Sequence, residues 1–137
     1  VDGSAGSVDA LRWALSEAPA TGAEVRAVVA WDMPATYGFA PTYDDVDWAA
    51  TARKALDHAV NEATDGAPPT DLSVQVVQGH AANVLVDASR EADLLVVGSR
   101  GHGTAVGMLL GSVGHHCVQH AQCPVVVVRR RGVRRSG

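Results

Sequence analysis

The chain has 137 residues, the size of one domain, and 47% of them are hydrophobic while 19% are charged, which is typical of a globular protein. No apolar run approaches the ~20 residues that a membrane span requires, and no charged and apolar leader opens the chain. Two cysteines exclude a disulfide framework, so a cytoplasmic protein that does not associate with membranes is expected.

Charge is distributed unevenly along the chain. The net charge is −4, yet five of the eleven basic residues are arginines after residue 128, so residues 1–128 carry a net charge of −9. Such an acidic body argues against general nucleic-acid binding, which needs basic patches. We divide the sequence into a domain over residues 1–129 and a basic tail over residues 130–137, which is either solvated or in contact with an anionic partner.

Strand and helix patterns alternate through the first half. The turn-like Asp2-Gly3-Ser4 precedes a helix that closes at Pro19 and Gly22. This helix has apolar residues at helical spacing, namely Val8, Leu11, Leu15 and Ala18. A β-branched strand is predicted over 24–31, and a second helix, ending near Gly66, carries the stripe Ala49, Ala52, Leu56, Ala59 and Ala63.

The same alternation continues through the second half. The predicted elements are, in order, a strand over 72–77, a helix over 82–91, a strand over 93–97, a glycine-rich stretch over 98–111, a helix over 112–120 and a strand over 125–128.

Strands that are apolar on both faces and alternate with helices indicate a parallel sheet covered by helices on both sides. We therefore predict an α/β fold, a Rossmann-like three-layer α/β/α sandwich with a five-stranded parallel sheet. A doubly wound sheet places its first strand near the centre, and only Val1-Asp2 of that strand is present. The first strand is expected to be truncated, its preceding residues being missing or part of a longer protein.

The glycine-rich stretch carries the clearest chemical signal. Five glycines lie within the fourteen residues from Gly98 to Gly111, after a buried strand and before a helix. Glycines let a backbone approach a ligand closely, and the free N–H groups of Ser112, Val113 and Gly114 at the helix start favour an anion. This pattern favours a phosphate-binding loop over its alternative, a surface loop with a helix cap.

Two common phosphate loops do not fit. A Walker A loop needs Gly-Lys-Ser/Thr, and the only lysine, Lys54, lies in a predicted helix. The dinucleotide fingerprint follows a first strand and has a different last glycine spacing, whereas this stretch follows the fourth predicted strand.

The spacing Gly98-x2-Gly101-x9-Gly111-Ser112 resembles the nucleotide signature of ATP-binding universal stress proteins. The opening Asp2-Gly3-Ser4, the segments LLVVGSRG and LGSV around the stretch, and the closing CPVVVV are similar to that family as well. The resemblance covers the whole chain except the start of the first strand, and it implies an adenine nucleotide α-hydrolase-like fold.

The resemblance implies a site for ATP and an accompanying Mg²⁺. Asp2 matches an aspartate beside the nucleoside, and Val29 and Ala30 match the backbone near adenine. Arg100, with His102 as a further candidate, would help to neutralise the phosphates. The implied site residues are Asp2, Gly3, Val29, Ala30, Gly98, Ser99, Arg100, Gly101, His102, Gly111, Ser112 and Val113.

Other constellations are weaker. His116 and His120 share a helical spacing, but Cys117 is expected to be a small core residue, so no protein metal ligands are assigned. No serine lies in a Gly-x-Ser-x-Gly elbow, and no catalytic residue is assigned. The aromatic residues of the second loop are either a lid over adenine, a self-association surface or a local cluster: Trp31, Tyr37, Phe39, Tyr43 and Trp48.

The family resemblance implies a nucleotide-dependent regulatory module for stress responses rather than an enzyme. A slow ATPase and a nucleotide-free interaction domain are the alternatives. The apolar strand Val125–Val128 is a probable sheet edge. A homodimer, or the pairing of two domains in one chain, is expected through this strand.

Overall fold

A computed structural model describes residues 1–2, 4–32, 47–67, 69, 71–99 and 110–129 of the protein. Four helices and four strands alternate in these residues: α1 (Ala5–Thr21), β1 (Val25–Trp31), α2 (Trp48–Thr64), β2 (Leu72–Gln78), α3 (Ala81–Ser89), β3 (Leu95–Gly98), α4 (Ser112–His120) and β4 (Val125–Val128). The predicted alternation is confirmed, and α4 and β4 have the predicted bounds. The predicted basic tail, residues 130–137, lies outside the described residues.

The strands form two parallel pairs. β1 pairs with β2 in a register that runs from Val25 opposite Leu72 to Trp31 opposite Gln78. β3 pairs with β4, from Leu95 opposite Val125 to Gly98 opposite Val128. The parallel arrangement is confirmed, but the described residues contain two two-stranded sheets and not one sheet of five strands.

Val1 marks where the predicted first strand would run. Its nitrogen donates a hydrogen bond to the Val28 carbonyl in β1 (2.8 Å). Its side chain packs against the first core cluster, which includes Ala27 and Val29 of β1. Val1 therefore lies beside β1, and residues 1–2 are too few to form a ladder.

Helices cover both faces of β1. Ala27 and Val29 belong to a core cluster with Leu11 of α1 and Leu56 of α2. Val28, which points to the opposite face of the strand, is also buried, and α3 contacts β1 as well. Burial on both faces is the arrangement expected for a parallel sheet between helical layers.

Local sequence explains the bounds of α1. Ser4 caps its first turn, where the Ser4 hydroxyl accepts a hydrogen bond from the Ser7 N–H (3.2 Å). Gly22 ends it in the left-handed conformation (φ 70°). The sequence predicted that Pro19 and Gly22 together end this helix, but Pro19 lies inside its last turn and only Gly22 ends it. Pro19 lacks the N–H that would bond to the preceding turn, and the helix ends at Thr21.

The second core cluster contains the two cysteines, whose thiols are free. Cys117 is fully buried with Leu95 and Val97 of β3, and Cys123 packs against the same cluster. The prediction that Cys117 is a small core residue is confirmed. Burial raises the pKa of both thiols, so the reactive thiolate is disfavoured at each.

A buried hydroxyl joins α3 to the turn that follows α4. Ser89, at the end of α3, is 1% exposed. Its hydroxyl donates to the Val86 carbonyl and accepts from the Gln122 N–H (2.9 Å). This bond satisfies a backbone donor that the turn would otherwise leave without a partner.

No helix among the described residues has the length and apolar character needed to cross a membrane. The cytoplasmic location stays a prediction.

Candidate functional site

The candidate site lies at the carboxyl ends of the strands, where open α/β sheets bind their ligands. β1 and β2 end together, since the Gly79 N–H donates to the Trp31 carbonyl (2.7 Å). β3 and β4 also end together, since the Ser99 N–H donates to the Val128 carbonyl (2.9 Å). Within each pair, therefore, the carboxyl ends of the two strands lie side by side.

Three glycines allow two helices to approach the end of β3. A Cβ atom at Gly98 would lie 2.8 Å from the carbonyl oxygen of Gly6, in the first turn of α1. A Cβ atom at Gly114, in the first turn of α4, would lie 3.5 Å from the Gly98 carbonyl oxygen. The amino-terminal turns of α1 and α4 thus meet at Gly98, and their dipoles both place positive potential there.

The ends of the glycine-rich stretch are bonded to each other. The Gly111 N–H donates to the Ser99 carbonyl (2.6 Å), and the Gly111 carbonyl accepts from the His115 N–H (2.9 Å). Ser99 and Gly111 are both buried. This contact fixes the start of α4 directly beside the end of β3.

The first turn of α4 has the features of an anion site. Its cap residue is Gly111, which has no side chain to bond the first N–H groups, and the turn contains no acidic residue. Ser112 is exposed there, whereas Val113 is half-buried and packs against the second core cluster. Within the described part of the chain, no side chain caps this turn, so its N–H groups and the Ser112 hydroxyl form a candidate set of donors for phosphate oxygens.

The first turn of α1 is different because it already has a carboxylate. The exposed Asp2 accepts hydrogen bonds from the Ser4 N–H (2.9 Å) and from the Ser4 hydroxyl. Ser4 in turn caps α1. Asp2 is thereby held at the amino end of α1, and its negative charge offsets part of that helix's dipole.

Val29 and Ala30 are placed differently from one another. Val29 is 4% exposed and its side chain belongs to the first core cluster. Ala30 is half-buried and lies one residue closer to the end of β1. Of this pair, Ala30 is the residue with surface that a ligand could reach.

The structure brings Asp2, Gly98, Ser99, Gly111 and Ser112 to one end of the sheet through the contacts above. The predicted site residues Gly3, Arg100, Gly101 and His102 lie outside the described residues, as do Tyr37, Phe39 and Tyr43 of the predicted aromatic lid.

The sequence did not predict that Gly6 shapes the site, and it predicted Gly114 only as an N–H donor and not for its close packing. A glycine inside a helix is disfavoured and often has a packing reason. That signal was present near the start of both helices.

One shallow pocket lies at the opposite end of the fold. It has a volume of about 60 Å³ and is lined by Leu15, Ala18, Pro19, Ala23, Val25, Pro69 and Asp71. It is too small to enclose a nucleotide. Over the described ranges, no group of three or more His, Cys, Asp or Glu side chains is arranged to hold a metal ion.

The chain is similar in sequence to known proteins of mycobacteria. Universal stress protein Rv2623 of Mycobacterium tuberculosis (strain ATCC 25618 / H37Rv) is 37% identical over 133 residues, which cover 94% of this chain and 43% of that protein. A universal stress protein of Mycolicibacterium smegmatis (strain ATCC 700084 / mc(2)155) is 33% identical over 132 residues, covering 96% and 44%. The chain therefore spans less than half the length of these relatives.

Solved structures show the same fold. Universal stress protein UspA from Lactobacillus plantarum superimposes with a TM-score of 0.76 at 25% identity, covering 94% of this chain and 93% of that chain. A universal stress protein in complex with cAMP gives a TM-score of 0.66 at 27% identity, covering 93% and 92%. These matches establish the Rossmann-like α/β fold.

The model of the universal stress protein family matches residues 1–129. With the fold and the relatives in agreement, the chain belongs to the universal stress protein family.

Proposed function

We propose that this domain binds ATP with Mg²⁺ at the end of β3 and acts as a nucleotide-dependent regulatory module in a stress response. The observation that carries the proposal is the start of α4. There an uncapped, acid-free first turn is bonded through Gly111 to the end of β3, beside the first turn of α1.

The charges suggest how the nucleotide is oriented. The first turn of α4 offers N–H donors without a competing carboxylate, so it suits the phosphates. Asp2 is a hydrogen-bond acceptor and repels phosphate, so it suits the ribose hydroxyls. Adenine then lies toward the end of β1, near Ala30. Residues 1–128 carry a net charge of −9. Mg²⁺ would therefore be needed to neutralise part of the negative charge of the phosphates.

Two further observations support a nucleotide ligand. A structural neighbour at 27% identity was solved with cAMP. The glycine pattern from Gly98 to Ser112 resembles the ATP-binding branch of the family and favours a ligand with several phosphates over cAMP. A slow ATPase and a nucleotide-free interaction domain remain the alternatives, and we assign no catalytic residue.

Calorimetry with Mg²⁺ and ATP tests the proposal. The wild-type protein is expected to bind ATP more tightly than cAMP. Ser112→Ala removes one hydroxyl donor and should weaken ATP binding by about 1 kcal/mol, roughly fivefold. Asp2→Asn keeps an acceptor for Ser4 but removes the charge, so it should weaken binding of both ATP and adenosine.

The possible results of calorimetry distinguish ATP binding from the alternative functions. Tight binding of cAMP with no ATP binding would contradict the ATP assignment and retain a nucleotide site. No binding of any adenine nucleotide would leave the interaction domain as the better account. ADP that accumulates during incubation would instead favour the ATPase.

We also propose that β4 pairs with a second universal stress protein domain, in a partner molecule or in the same chain. All four β4 valines are only half-buried, and β4 has one strand neighbour among the described residues. The relatives are more than twice as long as their matched part. An apolar strand with an open edge is a natural pairing surface.

The backbone of β4 allows this pairing to be tested selectively. The Leu95 N–H donates to the Pro124 carbonyl (3.0 Å) and the Ser99 N–H to the Val128 carbonyl (2.9 Å). In a parallel ladder alternate residues bond to the same neighbour. Val126 and Val128 therefore bond to β3, whereas Val125 and Val127 direct their backbone groups to the open edge.

Val127→Pro is expected to abolish self-association while the domain stays folded, because it removes a donor only from the open edge. Val126→Pro is the matched control. It removes a donor to β3 and should cost about 3 kcal/mol of folding free energy. Sedimentation measures association, and circular dichroism measures folding. A Val127→Pro protein that associates like the wild type would contradict pairing through β4.

A further inference from the structure

We propose that His116 and His120 form a two-histidine chelate for a borderline transition-metal ion, Cu²⁺, Ni²⁺ or Zn²⁺, on the surface of α4. The pair begins one helical turn after Ser112 and ends at His120, the last residue of α4, so His120 lies at the far end of the helix from the proposed nucleotide site. The proposal does not depend on nucleotide binding.

The two imidazole rings are already side by side. Residues four apart in a helix lie one above the other on one face. The ring centroids of His116 and His120 are 4.5 Å apart, and the ring planes are inclined by 43°. A metal ion with ligand bonds of about 2.0–2.1 Å needs two imidazole nitrogens about 3 Å apart, so chelation would require the side chains to rotate until one nitrogen of each ring faces the ion.

These rings are not needed for the core. The inward face of α4 carries Cys117, which belongs to the second core cluster, and Val113, which packs against it, as does Ala121 directly after the helix. His116 and His120 each precede one of these residues and so flank the packed face. His120 is exposed and His116 is half-buried. An ion held there keeps its other coordination positions open to water.

Electrostatics favours a cation at this end of the helix. The carboxyl end of α4 carries the negative end of the helix dipole, and His120 lies in its last turn. The net charge of −9 over residues 1–128 adds a favourable field.

The ligand type selects the metal. Imidazole suits Cu²⁺, Ni²⁺ and Zn²⁺, whereas Mg²⁺ and Ca²⁺ prefer oxygen ligands. Because no third protein ligand joins the pair within the described ranges, affinity should follow the general order with Cu²⁺ bound most tightly.

The test uses the untagged protein in calorimetry with CuCl₂ and then with ZnCl₂, and electron paramagnetic resonance of the Cu²⁺ complex. Wild type should bind one Cu²⁺ with two imidazole nitrogens in its spectrum. His120→Ala and His116→Ala should each weaken that binding by about tenfold or more, since one imidazole remains. His115→Ala is the matched control, because His115 is exposed on the same helix and is not part of the ring pair.

His58→Ala is a second control. His58 is an exposed histidine on α2 that pairs with Glu62, four residues later, at 3.2 Å. Unchanged Cu²⁺ binding in both of these controls supports the chelate. Equal loss in His115→Ala and His120→Ala would overturn it, as would a wild-type spectrum with one coordinated nitrogen. Circular dichroism shows that each variant is folded.

Discussion

Gly98→Ala is expected to lower the free energy of unfolding by about 3 kcal/mol, the upper end for an overpacked core. The added Cβ atom would lie 2.8 Å from the Gly6 carbonyl oxygen and 2.9 Å from the Gly6 carbonyl carbon. Both are backbone atoms of α1, so no side chain can rotate away. Either β3 or the first turn of α1 must move, and α1 contacts β1, β3 and β4.

Gly114→Ala is the matched comparison. Its Cβ atom would also approach a neighbour at 2.8 Å, but that neighbour is the Cδ1 atom of the Leu110 side chain, which can change rotamer. Alanine also gains about 1 kcal/mol of helix propensity over glycine. We therefore expect a net change within about 1 kcal/mol for Gly114→Ala.

Urea unfolding followed by tryptophan fluorescence and circular dichroism measures both variants. The informative quantity is the difference between them, because both exchanges add one methyl group at the same crossing. If Gly98→Ala proved as stable as Gly114→Ala, the close contact between β3 and α1 would be wrong.

Ser112→Glu should separate folding from ligand binding. A carboxylate in the first turn of a helix interacts favourably with the dipole, by about 0.3–1 kcal/mol, so the melting temperature should stay equal or rise. The same carboxylate would repel a phosphate. Two unit charges about 4 Å apart at an effective dielectric constant of about 20 repel by about 4 kcal/mol. ATP affinity is therefore expected to fall at least about a hundredfold, which is about 2.7 kcal/mol.

Gln119→Glu controls for the added charge. Gln119 is exposed near the other end of α4, so this variant should bind ATP like the wild type. Calorimetry gives the affinities and thermal unfolding gives the stabilities. A Ser112→Glu protein that still binds ATP with wild-type affinity would place the phosphates away from α4. Equal weakening by both variants would indicate a general charge effect.

The sequence predicted element types well where strong local signals set the bounds. α4 and β4 start where expected, because Gly111 precedes one and Pro124 the other. The prediction for α3 was too long. It ends at Ser89, after which the Arg90 and Glu91 N–H groups bond to carbonyls three residues back in a tighter turn. No glycine or proline closely follows Ser89 in the sequence to mark the end of this helix.

The start of β3 shows a different limit. The sequence pattern placed Asp93 and Leu94 in the strand, yet both are exposed and the first bond of the ladder is made by Leu95. Apolar character alone does not fix where a ladder begins, because the partner strand decides it. For the same reason the joining of strands into one sheet could not be read from the separate strand patterns.

The candidate site was predictable in part. The spacing of Gly98, Gly111 and Ser112 indicated a phosphate site, and these residues lie together at the end of β3. The contact of Gly6 with Gly98 was not predictable, since it depends on the crossing of two elements about ninety positions apart in the chain. The roles of Gly3, Arg100, Gly101 and His102 stay predictions.

The hydrogen bond from the Gln122 N–H to the buried Ser89 hydroxyl is an intrinsic probe of the position of α4. The Gln122 amide proton depends on this hydroxyl (2.9 Å) and lies just after α4, whose other end is the proposed phosphate site. If occupancy at Ser112 shifts α4 along its axis, this bond must lengthen or bend. The Gln122 amide resonance and its exchange with deuterium would then register the displacement without any attached probe, at the far end of the helix from the ligand.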